Sequence, residues 1–469
     1  MSNEPLHWRS ATALRDALAS GEISAVDVMT SFLDRIEDTN NRVNVIVNQL
    51  PREQCLALAE QADAHRAAGA ELGPLHGLPI AIKDLSHAQG FATTYGCKAF
   101  ADNGPEEKDS PHVALLREAG ALIIGKTNTP EFGVGTLTFN DVFGTTRNPY
   151  DLDRHAGGST GGGAAVAAGM LPFCDGSDSG GSLRYPAAFC NIVGLRPTPG
   201  MVPSGPSGSN WSPHAVNGVM GRDCADTALL LSAMSGRHRE APLSTGLGPI
   251  PEDLADIDGL RLAWSADLGG LPVDPAMRVA LAEVRTKLEA AGVEVVDVEL
   301  DFHGVDEAWQ VIEMYAWYSL LGDKPLADPD LYRDDFIRNV TEASGYSVAQ
   351  IKSALDRRNA LYQDMAALLD SGFDAFVSPA TPTVAPPADQ PWVKDIDGVE
   401  FDRYFLWQRM ACRLAVSAHP VLALPATFSP EGLPIGIQLT GAYGNDYKLL
   451  SVGRALEPIL GVAGIRPQL

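Results

Sequence analysis

The residues with the greatest chemical potential lie in one stretch, Ala156–Gly194. It holds Gly157-Gly-Ser-Thr-Gly-Gly-Gly163 and Asp178-Ser-Gly-Gly-Ser182, a dense glycine cluster around Ser159 and Ser182. Glycine permits positive φ and lets amide N–H groups approach a ligand closely. Such amide nests hold anions or a developing oxyanion. A serine beside them is a candidate nucleophile once a base removes its proton. A flexible linker would share this composition. Against that reading, Ala164–Leu171 is Ala-rich and helix-capable, and the segment runs on into the apolar Ile192–Leu195.

Two short patterns compete. Gly157-Gly-Ser-Thr-Gly161 fits Gly-x-Ser-x-Gly, which would make Ser159 the nucleophile with Asp and His following later. His303 and His419 do follow, so the pattern leaves that option open. The elbow requires a buried strand before it, and Asp151–Ala156 does not read as one. Gly120-Ala-Leu-Ile-Ile-Gly-Lys-Thr127 satisfies the P-loop pattern. Its Ala-Leu-Ile-Ile core reads as a buried strand rather than a phosphate loop, and Asn128-Thr-Pro130 stops the required helix. The ten histidines are scattered with no His-x-x-x-His pair, and no cysteine cluster joins them. No metal or other cofactor is therefore expected. A His-Asp-Ser triad stays open by pattern alone.

Positioning these groups needs a scaffold. Leu14, Leu18, Val26, Met29, Phe32, Leu33 and Ile36 recur at helical spacing and predict two helices broken near Gly21. Arg52–Ala68, Pro111–Ala119, Ala225–Met234, Glu307–Leu321 and Val348–Asp370 read as further helices. Short apolar strands are expected at Leu78–Lys83, Ala121–Ile124, Leu171–Cys174, Ile192–Leu195, Phe373–Ser378, Pro420–Pro425 and Ile435–Thr440. The run Leu260–Trp264, Pro275–Ala291, Val293–Val298 has the strand–helix–strand spacing of a parallel pair in an α/β sheet. Pro379–Pro391 is a loop. No repeat or linker divides the chain, so 1–469 reads as a single α/β domain, with 225–391 as an insertion or outer layer.

Composition narrows the function. The 469 residues are 45% hydrophobic and 20% charged, ordinary for a globular protein with a sizeable core. The net charge of −24 repels phosphate backbones and argues against a nucleic-acid partner. The six cysteines are widely and irregularly spaced, as reduced thiols in a reducing compartment would be. There is no apolar signal core in Met1–Ser20 and no run of about 18 apolar residues. A cytoplasmic protein without a membrane span is expected, and the sequons at Asn210 and Asn339 read as chance matches.

The glycine–serine segment resembles the amidase signature family. The match runs through Gly157–Pro172, Gly176–Pro186, Phe189-Cys190 and Gly194–Thr198. Gly77-Leu-Pro-Ile-Ala-Ile-Lys-Asp84 is similar to that family's lysine strand, and Gly432–Leu439 to its last strand. The resemblance implies a large mixed central sheet covered by helices on both faces. It implies Ser182 as nucleophile, Ser159 as a proton bridge after a cis peptide bond, and Lys83 as base. The amides of Ser179, Gly180 and Gly181 would form the oxyanion hole. A lysine can act as base only when neutral, and its place after Pro79-Ile-Ala-Ile82 suits desolvation. Thr160 stands where the family commonly has a second serine, and Asp178 with Arg184 would brace the loop as a structural ion pair.

The implied activity is hydrolysis of aryl or alkyl amides, extending to esters or carbamates, through an acyl-enzyme on Ser182. The expected partner is a small-molecule amide, with homo-oligomerisation left open. Phe132, Gly133 and Val134 are the expected substrate-binding residues. The helix carrying Trp309, Met314, Tyr315, Trp317 and Tyr318 is core or an aromatic wall over the nucleophile. The alternative is a glutaminase-type subunit of a tRNA-linked amidotransferase. The acidic charge and the lack of a clear glutamine-binding signature disfavour it.

Overall fold

In the computed structural model, residues 4–205, 211–245, 251 and 254–469 are described. The N-terminal helices are Ala11–Ser20 and Ala25–Val43, divided at Gly21, whose φ of 77° closes the first helix in the left-handed region. Ser24 and Asp27 form a reciprocal capping box at the start of the second. Val28 takes the buried position expected of Val26, which lies half-buried.

Eight strands form the central sheet, in the order Glu294–Asp297, Arg261–Trp264, Ala375–Pro379, Pro434–Thr440, Val421–Phe428, Val193–Arg196, Val216–Gly221 and Phe173–Asp178. Arg261–Trp264 pairs in parallel with Glu294–Asp297, as the strand–helix–strand spacing predicts, and in parallel with Ala375–Pro379 on its other side, and the other pairings are antiparallel. Residues 225–391 thus supply three strands to this sheet as well as helices outside it. The sheet is the mixed α/β structure that the resemblance implies.

Strand alternation assigns the two faces. Leu422 and Leu424 meet Gly453 on the helix Asp446–Leu460, where a Cβ would lie 2.5 Å from Leu422. Ala423 pairs with Gly194, and this side faces Arg184–Phe189, the helix that begins just after Ser182. A Cβ on Gly194 would sit 2.6 Å from the Leu183 carbonyl. That missing side chain lets the helix seat directly on the sheet and fixes the height of Ser182 above it.

The lysine strand, Pro79–Lys83, belongs to a second, three-stranded sheet with Ile46–Val47 and Leu122–Thr127. It pairs in parallel with Leu122–Thr127 and abuts the Phe173–Asp178 edge of the central sheet. Gly125 and Lys126 lie inside a strand, so the P-loop pattern has no loop here. Lys126 is buried 3.6 Å from Asp84 as an ion pair. Asp151–His155 is a strand, contrary to the expectation from its composition, because it closes a peripheral two-stranded ribbon with Arg147–Asn148. The Asn210 sequon lies outside the described residues. Asn339 is buried and bonded to Tyr404 and Arg403.

Candidate active site

Lys83 ends its strand with its side chain fully buried. Its Nζ donates to Ser159 Oγ at 2.9 Å, Thr160 Oγ1 at 3.0 Å and Ser177 Oγ at 3.0 Å. Three hydroxyls surround the amine, and among the described residues no carboxylate touches it. Burial pulls its pKa down to about 7, against the opposing charges of Asp175 and Asp178. Thr160 keeps a hydroxyl on the amine at the position where the resemblance places a serine. Ser177 is a partner the sequence does not announce, because a serine before an Asp carries no signal of its own. The Lys83 backbone is pinned as well, its N–H donating to Asp175 Oδ1 at 2.9 Å.

The peptide bond between Gly158 and Ser159 is cis. Ser159 and Ser182 line the same cavity, and the Thr160 amide donates to the Ser182 carbonyl at 3.2 Å, which ties the two glycine loops together. Among the described residues no hydrogen bond engages Ser182 Oγ.

Asp178 organises the loop that carries Ser182. Arg184 grips it with Nη2 and Nε at 2.9 and 3.0 Å, and the amides of Gly181 and Leu183 donate to it at 2.9 and 3.1 Å. Burial alone would raise its pKa, but Arg184, the hydrogen bonds and Arg196 override that and hold it far below the usual carboxylate range. The Gly181 amide is already committed to Asp178, whereas those of Ser179 and Gly180 have no acceptor among the described residues.

The cavity above Ser182 has a volume of about 350 Å³. Phe132 and Gly133 line it, but Val134 does not and lies in the core. Phe132 stacks on Phe336 at 4.8 Å and holds a left-handed φ of 49°. Of the aromatic helix Val305–Leu321, Trp317 lines the cavity, Met314 and Trp309 are buried, and Tyr315 is exposed. The helix therefore divides between core and wall. No Lys or Arg lines the cavity among the described residues, and one carboxylate outside the Asp178 ion pair does: Glu313. His214 and Glu313, paired at 2.9 Å, are further residues that sequence reasoning did not single out.

Gly133 sits tightly against the chemistry. A Cβ there would lie 3.0 Å from Leu85 and 3.1 Å from Ser159 Oγ, on a φ of +76°. Gly133→Ala is expected to cost about 1 kcal/mol in backbone strain and to displace Ser159. Activity should fall about 10-fold or more, since small misplacements at reacting groups are amplified. Steady-state kinetics beside a thermal melt checks both.

A buried amine among three hydroxyls, two serines on one cavity and a braced glycine loop define an amide-hydrolysing enzyme when set beside known proteins. The Amidase family pattern matches residues 27–450, and the chain belongs to that family. It is 32% identical to an acylamidase of Rhodococcus erythropolis, over 100% of this chain and 98% of that one. It is also 32% identical to a chain of the glutamyl-tRNA(Gln) amidotransferase of Moorella thermoacetica, over 99% of each. A bacterial aryl acylamidase of the amidase signature family superposes with a TM-score of 0.90 at 26% identity, covering 99% of this chain and 100% of that one. The fold expected from the resemblance is the fold observed. Among the described residues no helix is long and apolar enough to cross a membrane.

Proposed function

We propose that the protein hydrolyses aryl or alkyl amides of uncharged acids, and related esters or carbamates, through an acyl-enzyme on Ser182. The observation that carries this reading is the buried Lys83, its pKa pulled down to about 7, bonded to Ser159 on the cavity that also holds Ser182. As Ser182 attacks the carbonyl carbon, its proton passes to Ser159, whose own proton passes to Lys83. The amides of Ser179 and Gly180 receive the oxyanion. The proton returns by the same route to the leaving amine, and water then releases the acid. The Lys83–Ser159 hydrogen bond and the Asp178–Arg184 brace support the loop geometry this relay needs.

Phe132, Trp317 and Leu320 give the cavity an apolar wall suited to an aryl or alkyl group. Trp317→Ala should raise KM for an anilide about 10-fold and leave kcat within about 3-fold, because it removes binding present in ground and transition states alike. Initial rates on anilides of increasing acyl size check this.

The glutaminase reading is favoured by relatives such as the Moorella thermoacetica amidotransferase chain. Glutamine carries a carboxylate, and among the described residues no Lys or Arg lines the cavity to receive it, so the stand-alone amidase is preferred. The six unpaired, buried cysteines support a reducing compartment, so the cytoplasm is the proposed location. A panel of anilides, alkyl amides, esters, carbamates and glutamine on purified protein decides between the readings. Turnover of uncharged amides, lost in Ser182→Ala, is expected. Glutamine turnover alone, or co-purified partner proteins required for any activity, would replace this proposal.

A further inference from the structure

The helix Val305–Leu321 does more than line the cavity. Two of its residues one turn apart, Trp309 and Glu313, grip Ser179 from the same face. Trp309 Nε1 donates to the Ser179 carbonyl at 2.9 Å, and Ser179 Oγ donates to Glu313 Oε1 at 2.9 Å. The other oxygen, Oε2, pairs with His214 Nε2 at 2.9 Å. A carboxylate only accepts, so the His214 ring carries its proton on Nε2. Glu313 and His214 are both buried. The His214 carbonyl in turn accepts from Arg196, which also donates to the Asp178 carbonyl, the peptide group leading into Ser179. The next residue has no slack: a Cβ on Gly180 would lie 2.8 Å from Trp309.

We propose that Glu313, oriented by His214, is a positioning residue for amide hydrolysis, clamping the Ser179 side chain so that the Ser179 and Gly180 amides point at the developing oxyanion. The inference rests on Ser182 as nucleophile. Among the described residues Glu313 is the one carboxylate on the cavity outside the Asp178 ion pair, and each of its oxygens has a fixed partner, Ser179 on Oε1 and His214 on Oε2. The same helix continues to Ala316, Trp317 and Leu320 on the cavity wall. Substrate contact and oxyanion alignment are therefore carried by one rigid element.

The test combines a reaction that needs no substrate with one that does. A fluorophosphonate labels Ser182 by forming an O–P bond as fluoride leaves and the hydroxyl proton passes through Ser159 to Lys83, and its rate depends on the same amides. Labelling rates, kcat, KM and melting temperature are measured for wild type, Ser179→Ala, Ser179→Thr and Glu313→Gln. Ser179→Ala keeps the backbone amide and loses the hydroxyl. Glu313→Gln offers one oxygen where two donors need one each. Both should lose about 10-fold or more in labelling rate and kcat with KM within about 3-fold. Ser179→Thr restores the hydroxyl and should recover wild-type rates within about 3-fold. Wild-type rates in Ser179→Ala and Glu313→Gln would overturn the clamp and leave the proposed function standing. Losses that track melting temperature, with no recovery in Ser179→Thr, would overturn it in favour of a structural role. An unlabelled, inactive wild type would overturn the serine mechanism and the clamp together.

Discussion

Replacing Ser182 with alanine is expected to lower kcat by about 10⁴-fold or more while the melting temperature stays within about 2 °C of wild type. On the proposed mechanism the catalytic loss is large because the attacking hydroxyl itself is removed. Ser159 is already bonded to Lys83 Nζ. The structural loss is small because no hydrogen bond among the described residues engages Ser182 Oγ. Its backbone is held by the Thr160 amide, and its loop by the Asp178–Arg184 pair, all of which the variant retains. Ser159→Ala should be milder, about 10²- to 10⁴-fold, as loss of a proton relay rather than of the nucleophile. Equal kcat in wild type and Ser182→Ala would contradict the assignment outright. Circular dichroism beside the kinetics separates chemistry from misfolding.

Lys83→Met carries the second large effect, and it has a pH signature. Lys83 accepts a proton only when neutral, so kcat/KM of the wild type should rise with pH through about 7, where burial has placed its pKa. The variant should lose about 10³-fold or more and show no such limb. Stability moves too. The unfolded lysine holds its proton up to about 10.4, whereas the folded one releases it near 7. Between those values the unfolded chain binds more protons, so stability rises with pH across this window. Below about 7 both states are protonated, and the full cost of burying the charge is present. Lys83→Met removes that slope. Melting temperatures from pH 7 to 10 should therefore move in favour of wild type relative to the variant as pH rises. A constant difference, with an activity limb near the ordinary lysine value, would contradict a neutral Lys83.

Much of this was legible in the chain. Periodic apolar runs with clear breaks, such as Ala11–Ser20 ending at Gly21, announce themselves because local preference and burial agree. The strand Val216–Gly221 did not. Its glycines dilute the apolar pattern, and they are there because a Cβ on Gly218 would lie 2.4 Å from the Leu195 carbonyl. That demand comes from a strand distant in sequence. Asp151–His155 misled in the other direction, since a peripheral ribbon needs little apolar content.

The site divides similarly. Ser159 and Ser182 stand out by their glycine-rich contexts, whereas Lys83 enters only through the resemblance of its strand, and the fold brings Lys83 to Ser159 across 76 residues. Val134 misled because a neighbour of lining residues can still turn into the core. Glu313 and His214 lie 99 residues apart, and only tertiary packing places them beside Ser179. The commitment of the Gly181 amide to Asp178 is equally a property of the folded loop.

Everything proposed for this enzyme depends on which serine attacks. Purified protein treated with a fluorophosphonate, digested and mapped by mass spectrometry should carry one phosphonyl group on Ser182 and none on Ser159, with labelling lost in Lys83→Met. An adduct on Ser159, or none on Ser182 in an enzyme that hydrolyses amides, would contradict it.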